Sequence, residues 1–203
     1  MPNIHAIVPA AGHSRRMGQP KLLMEIDGEN LVERLLRQLR QSTIASVSVL
    51  VRASDQALQD EVSKHGTEVV IPEHDPNEMR DSVELLLEHL RQAKSPAEND
   101  GWLLIPADHP IVEPQVLNRL TTAWLQSPEK IVVPIHQGRR GHPTIFPWTL
   151  ASQLEQIPPD QGLNWLLRNG ETQIEEVECD EPSVLWDIDT PEEFARIREI
   201  LED

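Results

Sequence analysis

The chain has little cysteine, a shortage of positive charge and no long apolar run, and each shortage removes a class of function. Its single cysteine, Cys179, rules out a disulfide within the chain and any cysteine-based zinc knuckle, and suits a reducing compartment such as the cytoplasm. Lysine and arginine number 18 against 34 aspartates and glutamates, for a formal net charge of −16. A field of that sign repels polyanions, and no concentrated basic patch offsets it, so neither nucleic acid nor an anionic membrane is an expected partner. No apolar stretch approaches the roughly 18 residues of a membrane span, and the first residues lack the basic start and unbroken apolar core of a secretory leader. A soluble cytoplasmic protein is expected, and 203 residues suit one domain over 1–203.

What is present alternates. Short apolar, β-rich runs at Ile4–Val8, Val47–Val51, Val69–Ile71, Trp102–Ile105 and Ile131–Ile135 are separated by amphipathic helical patterns at Leu31–Arg40, Gln56–His65, Asp81–Gln92 and Gln115–Leu125. Unalternated strands between such helices predict βαβ units and an α/β fold whose mostly parallel sheet is buried on both faces. After Ile135 the rhythm changes: a QGRRGHP loop, a strand at Thr144–Phe146, helices near Trp148–Leu154 and Leu163–Arg168, and strands near Ile174–Glu178 and Ser183–Ile188. This late part is expected to add antiparallel strands and one wall of a cleft. Thr190-Pro191-Glu192-Glu193 predicts a clean helix start, with a capping hydroxyl, proline at the first helical position and glutamate three residues after the cap.

Acid is also missing where its absence is informative. No Asp or Glu occurs between Met1 and Met24, so Arg15, Arg16 and Lys21 form a positive island. Residues 34–54 lack acids too, yet read as helix and buried strand, so this signal needs support from position. The first strand ends at Pro9, directly before Ala10-Ala11-Gly12, and open α/β sheets collect ligands beyond the carboxyl ends of their strands. Small residues let backbone N–H groups approach phosphate oxygens, arginine forks two of them, and lysine adds a mobile charge. Five residues separate Gly12 from Gly18 and Lys21 stands three beyond, a spacing that fits neither GxxxxGK[ST] nor GxGxxG. A phosphate-binding loop is the functional reading and a basic surface turn the alternative.

Two carboxylate positions invite a metal. Trp102-Leu103-Leu104-Ile105-Pro106-Ala107-Asp108 is a buried strand ending in an acid, and magnesium takes one or two protein carboxylates beside water and substrate phosphates. The other reading of Asp108 is an aspartate opening a turn before His109-Pro110. Asp187 and Asp189 share one face of an extended segment beside Trp186 and Ile188, although helix capping explains some acid there. A second basic glycine loop, Gln137 to Pro143, lies in the acid-free stretch Lys130–Leu154 and reads as a ligand loop or a β-hairpin turn.

These segments together resemble a family. PAAGHSRRMGQPKLL is similar to the loop LAAGxSxRMGxxK of the MobA-like nucleotidyltransferases that activate molybdopterin, and more distantly to loops of sugar-phosphate and choline-phosphate nucleotidyltransferases. The resemblance implies a Rossmann-like three-layer α/β/α domain of the nucleotide-diphospho-sugar transferase fold. It implies that Ala10, Ala11, Gly12, Arg15 and Lys21 hold the triphosphate of an NTP, with Arg15, Lys21 and Asp108 catalytic. LIPADHPIVEP is similar to xxGDMPxLxP, which makes Asp108 a magnesium ligand, and DIDTPEEF is similar to DIDTPEDL, which favours Asp189 over Asp187 as the second. GRRGHPTIFP is similar to GRRGHPVLF and places Arg139, Arg140 and His142 on the acceptor side; DPNEMRDSV is similar to NPxxxxGMxxS and places Met79 and Ser82 near the base.

Departures occur in the acceptor-side segment and in the segment near the base. PPDQGLNWLLR keeps Gly162 but otherwise differs from GDxGAR, and Glu78 stands where the family has glycine. The AAG loop and DIDTPEE resemble the cytidylyl branch, which implies transfer of CMP from CTP to molybdopterin with Mg²⁺ as cofactor and a client molybdoenzyme as a further partner. The rival readings are transfer to a sugar phosphate or another phosphorylated acceptor, and a non-catalytic nucleotide-binding or chaperone-like protein serving a molybdoenzyme.

Overall fold

The computed structural model describes residues 1–14, 16–169 and 172–202. In chain order the elements are β1 (Ile4–Pro9), the short strands β2 (Glu25–Ile26) and β3 (Glu29–Asn30), α1 (Leu31–Arg40), β4 (Ser46–Leu50), α2 (Gln56–Ser63), β5 (Glu68–Val70), α3 (Met79–Lys94), β6 (Gly101–Leu104), α4 (Pro114–Gln126), β7 (Ile131–His136), β8 (Arg139–Arg140), β9 (Thr144–Pro147), α5 (Asn164–Asn169), β10 (Ile174–Glu178) and α6 (Pro191–Glu202). Tight 3-10 turns cover Lys21–Leu23, Trp148–Gln156 and Pro182–Leu185.

The main sheet runs in the order β10-β7-β9-β6-β1-β4-β5, with β8 paired to β7. β1 is parallel to both β4 and β6, β5 is parallel to β4 and β10 to β7, while β9 is antiparallel to β6 and β7. The sheet is therefore mostly parallel with one inserted antiparallel strand. Alternation along β1 sends Ala6 and Val8 to one core and Ile7 to the other. On the first face lie Leu35, Leu36 and Leu39 of α1, Leu58 and Val62 of α2, and Leu117, Leu120 and Trp124 of α4. The second face receives Val83, Leu86 and Leu90 of α3 with Leu150, Leu154 and Leu166. Two helical layers cover the sheet, as periodicity and resemblance predict.

Because the parallel strands share a direction, the segments following β1, β4, β6, β7 and β10 leave the sheet along one edge, and the segment entering antiparallel β9 reaches that same edge. The loops carrying Ala10–Gly12, Asp108, His142 and Asp189 are thus gathered by topology, from four distant parts of the chain.

One expectation needs correction. The strand expected near Ser183–Ile188 is a 3-10 turn followed by extended chain without a ladder partner. Pro182 cannot donate, and the neighbouring peptide groups bond across to loops: His142 N–H donates to the Val184 carbonyl at 2.8 Å and Ile188 N–H to the Asp108 carbonyl at 2.9 Å. The segment from Gln137 to Pro143 includes a hairpin end, with Gln137 and Gly138 both at positive φ between β7 and β8. A small hairpin of β2 and β3 was not read from the sequence, although Asp27-Gly28, with φ of 55° and 73°, is the turn chemistry that such a hairpin needs.

Gly101 opens β6 where a Cβ would stand 2.6 Å from the buried Trp124 ring. Gly101→Ala is expected to lower stability by about 1–3 kcal/mol through overpacking. Gly162→Ala, facing open space, should change it by less than about 0.5 kcal/mol. Urea unfolding of both variants checks the contrast.

Candidate functional site

The chain leaves β1 through Ala10, whose N–H donates to the Leu50 carbonyl at 3.0 Å, so the loop starts from a fixed point. Beyond Gly12 it turns at Ser14, with φ of 49°, and at Gly18, with φ of 67°, and returns to the sheet edge at Lys21. Among the described residues, apart from its chain neighbours, none comes within 4 Å of the place a Gly12 Cβ would take, which leaves bare backbone open to an incoming group. The Lys21 side chain is 10% exposed, and its ammonium donates to Asp108 Oδ2 at 3.1 Å and to Asp189 Oδ1 at 2.9 Å. Arg16, on the exposed side of the loop, pairs with the other oxygen of Asp189.

Asp108 is held from both sides. Ala107 N–H donates to the Pro9 carbonyl at 3.1 Å and His109 N–H to the Pro106 carbonyl at 3.0 Å, while Asp108 itself accepts from Ile188 N–H. That last bond ties the loop after β6 to the loop before α6. Asp189 N–H and Thr190 N–H both donate to Glu193 Oε2 at 2.9 Å, and Glu193 N–H donates to Thr190 Oγ1 at 3.2 Å, the reciprocal cap expected from the sequence. Burial alone would raise the Asp189 carboxyl, but the Lys21 ammonium and Arg16 guanidinium outweigh it and hold the group below the usual carboxylate range.

The structure therefore brings Lys21, Asp108 and Asp189 into contact. With Ala10, Gly12, Arg16 and Met79 they line a cavity of about 240 Å³. A neighbouring cavity of about 370 Å³ joins Ala11, Gly12, Met79 and Ser82. A third, of about 340 Å³, opens on the far face of the loop against Arg52, Asp55 and Leu58 and holds neither aspartate. Asp187 is exposed and makes no contact with Lys21, so the acid that meets Asp108 is Asp189. Among the described residues no group of three or more His, Cys, Asp or Glu is arranged around a metal position. Two hard carboxylates around a place already filled by a cationic nitrogen fit a magnesium-type ion, which needs only one or two protein ligands.

Arg15 lies outside the described residues. The arginine seen at Asp189 is Arg16, which sequence reading passed over; the signal was available, since the arginine directly before Met17-Gly18 is the one the loop pattern names.

The acceptor-side candidates separate. Arg139 and Arg140 are exposed on β8, and Arg140 Nε donates to Glu176 Oε1 of β10 at 2.8 Å. His142 instead lines a cavity of about 300 Å³ with Leu104, Pro106, Phe146 and Leu163. Its position is set by Gly141, where a Cβ would fall 2.1 Å from the Val184 carbonyl oxygen, so only glycine allows the two backbones to approach. The His142 ring meets the His109 ring at 4.6 Å, and the Nδ1 atoms of both are buried without a partner. Burial lowers the pKa of His109, against the pull of Asp108 and Asp187, and burial reinforced by His109 lowers that of His142 to about 4.

Comparison with known proteins agrees with this fold. The family described as the MobA-like NTP transferase domain matches residues 6–177. The chain is 29% identical to the purine catabolism protein PucB of Bacillus subtilis, over 97% of each chain. It is 24% identical to the molybdenum cofactor cytidylyltransferase of Escherichia coli, over 98% of this chain and 97% of that one. Its fold is similar to the crystal structure of Rv0371c from Mycobacterium tuberculosis, with a TM-score of 0.82, 26% identity and coverage of 97% and 98%. A manganese complex of Rv0371c aligns with a TM-score of 0.76 at 25% identity, over 97% of this chain and 98% of that one.

The low pKa of His142 fixes the sign of a pH effect. An unfolded histidine titrates near 6.5, so between 6.5 and about 4 the unfolded chain binds a proton that the folded chain refuses. Stability from this residue is complete above 6.5, declines as pH falls towards 4, and declines no further below that. In His142→Gln the loss across this window should shrink by at most about 3 kcal/mol, read from urea unfolding at successive pH values.

Proposed function

Given that the chain belongs to the MobA-like NTP transferase family and is thus a nucleotidyltransferase, we propose that it transfers CMP from CTP to molybdopterin and releases pyrophosphate. The observation that carries this reading is the convergence of the loop after β1 with Asp108 and Asp189 on one cation position. The cytidylyl-like AAG loop and DIDTPEE, together with the E. coli molybdenum cofactor cytidylyltransferase as a relative over almost its full length, favour CTP.

A terminal phosphate oxygen of the acceptor attacks the α-phosphorus in line. A new phosphoanhydride bond forms, the bond from the α-phosphorus to the bridging oxygen breaks, and pyrophosphate departs with the electron pair. Such chemistry rests on positioning and charge neutralisation, with no covalent nucleophile on the protein. The backbone N–H groups of Ala11 and Gly12 and the Lys21 ammonium bind phosphate oxygens, Ala10 being tied to Leu50, and Met79 with Ser82 walls the space beside them. Asp108 and Asp189 would hold a divalent ion, which when bound supplies charge neutralisation to the triphosphate. The mostly apolar walls of the cavity beside His142, from Leu104, Pro106, Phe146 and Leu163, suit a flat heteroaromatic acceptor better than a sugar.

A pyrophosphate-release screen of four NTPs against molybdopterin and a panel of phosphorylated acceptors tests the proposal. CTP with molybdopterin should give the highest kcat/KM; turnover with a sugar phosphate and none with molybdopterin would overturn it. Asp108→Ala should cut kcat by at least about 10³-fold with little change in the unfolding midpoint, as loss of transition-state charge stabilisation requires. Lys21→Ala should weaken CTP binding by about 10-fold or more, measured calorimetrically, through the loss of a charge-assisted contact.

A further inference from the structure

We propose that Arg80, which neither the signature segments nor the loop reading marks, is the residue that anchors the anionic group of the acceptor. The inference rests on the nucleotidyltransferase reading and assigns its acceptor subsite.

The observations begin with charge. The cavity beside His142 is walled mainly by Leu104, Pro106, Phe146 and Leu163, and among the described residues that line it Arg80 is the one side chain that carries positive charge at neutral pH. Arg139 and Arg140, the sequence-level choices, do not line it, and Arg140 is engaged by Glu176. His142 lines it as a neutral ring, its buried Nδ1 without a partner. A phosphorylated acceptor that enters this space therefore meets one cation, Arg80, which is paired with Glu84, and one lining carboxylate, that of Glu78.

The guanidinium is also pre-set. Arg80 is the second residue of α3, and its Nε donates to Glu84 Oε1 one turn on at 2.8 Å. Its Nη1 donates to the Ile157 carbonyl at 2.8 Å and to the Pro158 carbonyl at 3.4 Å. These bonds fix the plane of the group, and its Nη2 N–H pair, which takes part in none of them, is left to donate to a phosphate or carboxylate oxygen. Placement completes the argument. Met79, the preceding residue, lines this cavity and also the one that holds Lys21, Asp108 and Asp189. Arg80 thus follows directly on the residue that the two spaces share. The two bonds from Nη1 also join the start of α3 to the segment after Gln156.

Steady-state pyrophosphate release separates anchoring from mere support. Arg80→Gln should raise the KM of molybdopterin by about 10-fold, the loss expected for a charge-assisted contact, while the KM of CTP stays within about 2-fold. Arg80→Lys, which keeps the charge but not the fixed guanidinium plane, should fall between the two. Equal rises in both KM values, or an unchanged acceptor KM with lowered kcat, would overturn the assignment. A second measurement is independent of the acceptor's identity: inorganic phosphate is titrated by tryptophan fluorescence into CTP-saturated protein, whose phosphate loop is already filled. Wild type should bind phosphate and Arg80→Gln should bind it at least about 10-fold more weakly. No binding to wild type, or equal binding to both, rejects the anchor. Absent turnover with molybdopterin rejects only the choice of acceptor, and the KM comparison then uses whichever phosphorylated compound reacts.

Discussion

Lys21 carries its ammonium to a place where two carboxylates from distant loops converge, and much of the active edge is organised around that meeting. Asp108 and Asp189 are 81 residues apart in sequence, and without a cation between them they would repel. Burial makes the interaction stronger than a surface pair, because little water remains to screen it. Arg16 adds a second positive group on the outer oxygen of Asp189. Two acids are thus matched by two bases from one loop, in a chain whose total charge is −16. A loop that balances these carboxylates also has the chemistry to bind phosphate oxygens.

The backbone enforces the arrangement before any side chain acts. Parallel strands deliver four loops to one edge, and hydrogen bonds between those loops fix their spacing: Ala10 to Leu50, Ala107 to Pro9, Ile188 to Asp108 and His142 to Val184. The extended chain before α6 gives up ladder pairing to provide two of these bonds. Gly141 permits the closest approach of all, backbone against the Val184 carbonyl. Such loops resemble the inner surface of a core more than free connections, which suits a site whose catalysis rests on position.

The two halves of the edge differ in character. Around the first strand the polar groups are charged and paired, whereas beside His142 the walls are apolar and the two histidines have lowered pKa values through burial. The chain departs from the family's pattern around Gly162, and at Glu78 in the segment that the resemblance puts near the base. A charged, paired region and an apolar, packed one thus lie side by side along the same edge.

By itself the sequence determined the layered α/β architecture, the glycine-bearing turn after the first strand and the helix cap at Thr190, because each is written in local periodicity, glycine spacing or capping chemistry. It also marked Asp108 and Asp189 as acids at strand and helix ends. Only the tertiary structure decided that these two acids share Lys21, that Arg16 joins them, and that Arg140 turns to Glu176 and not to the cavity. The same holds for the chain at Ser183–Ile188, whose apolar residues read as a strand but whose peptide groups bond to loops far away in sequence. The reason is physical: local pattern sets which conformations a segment favours, whereas the partner of a charge or an N–H depends on which distant strands the sheet places side by side.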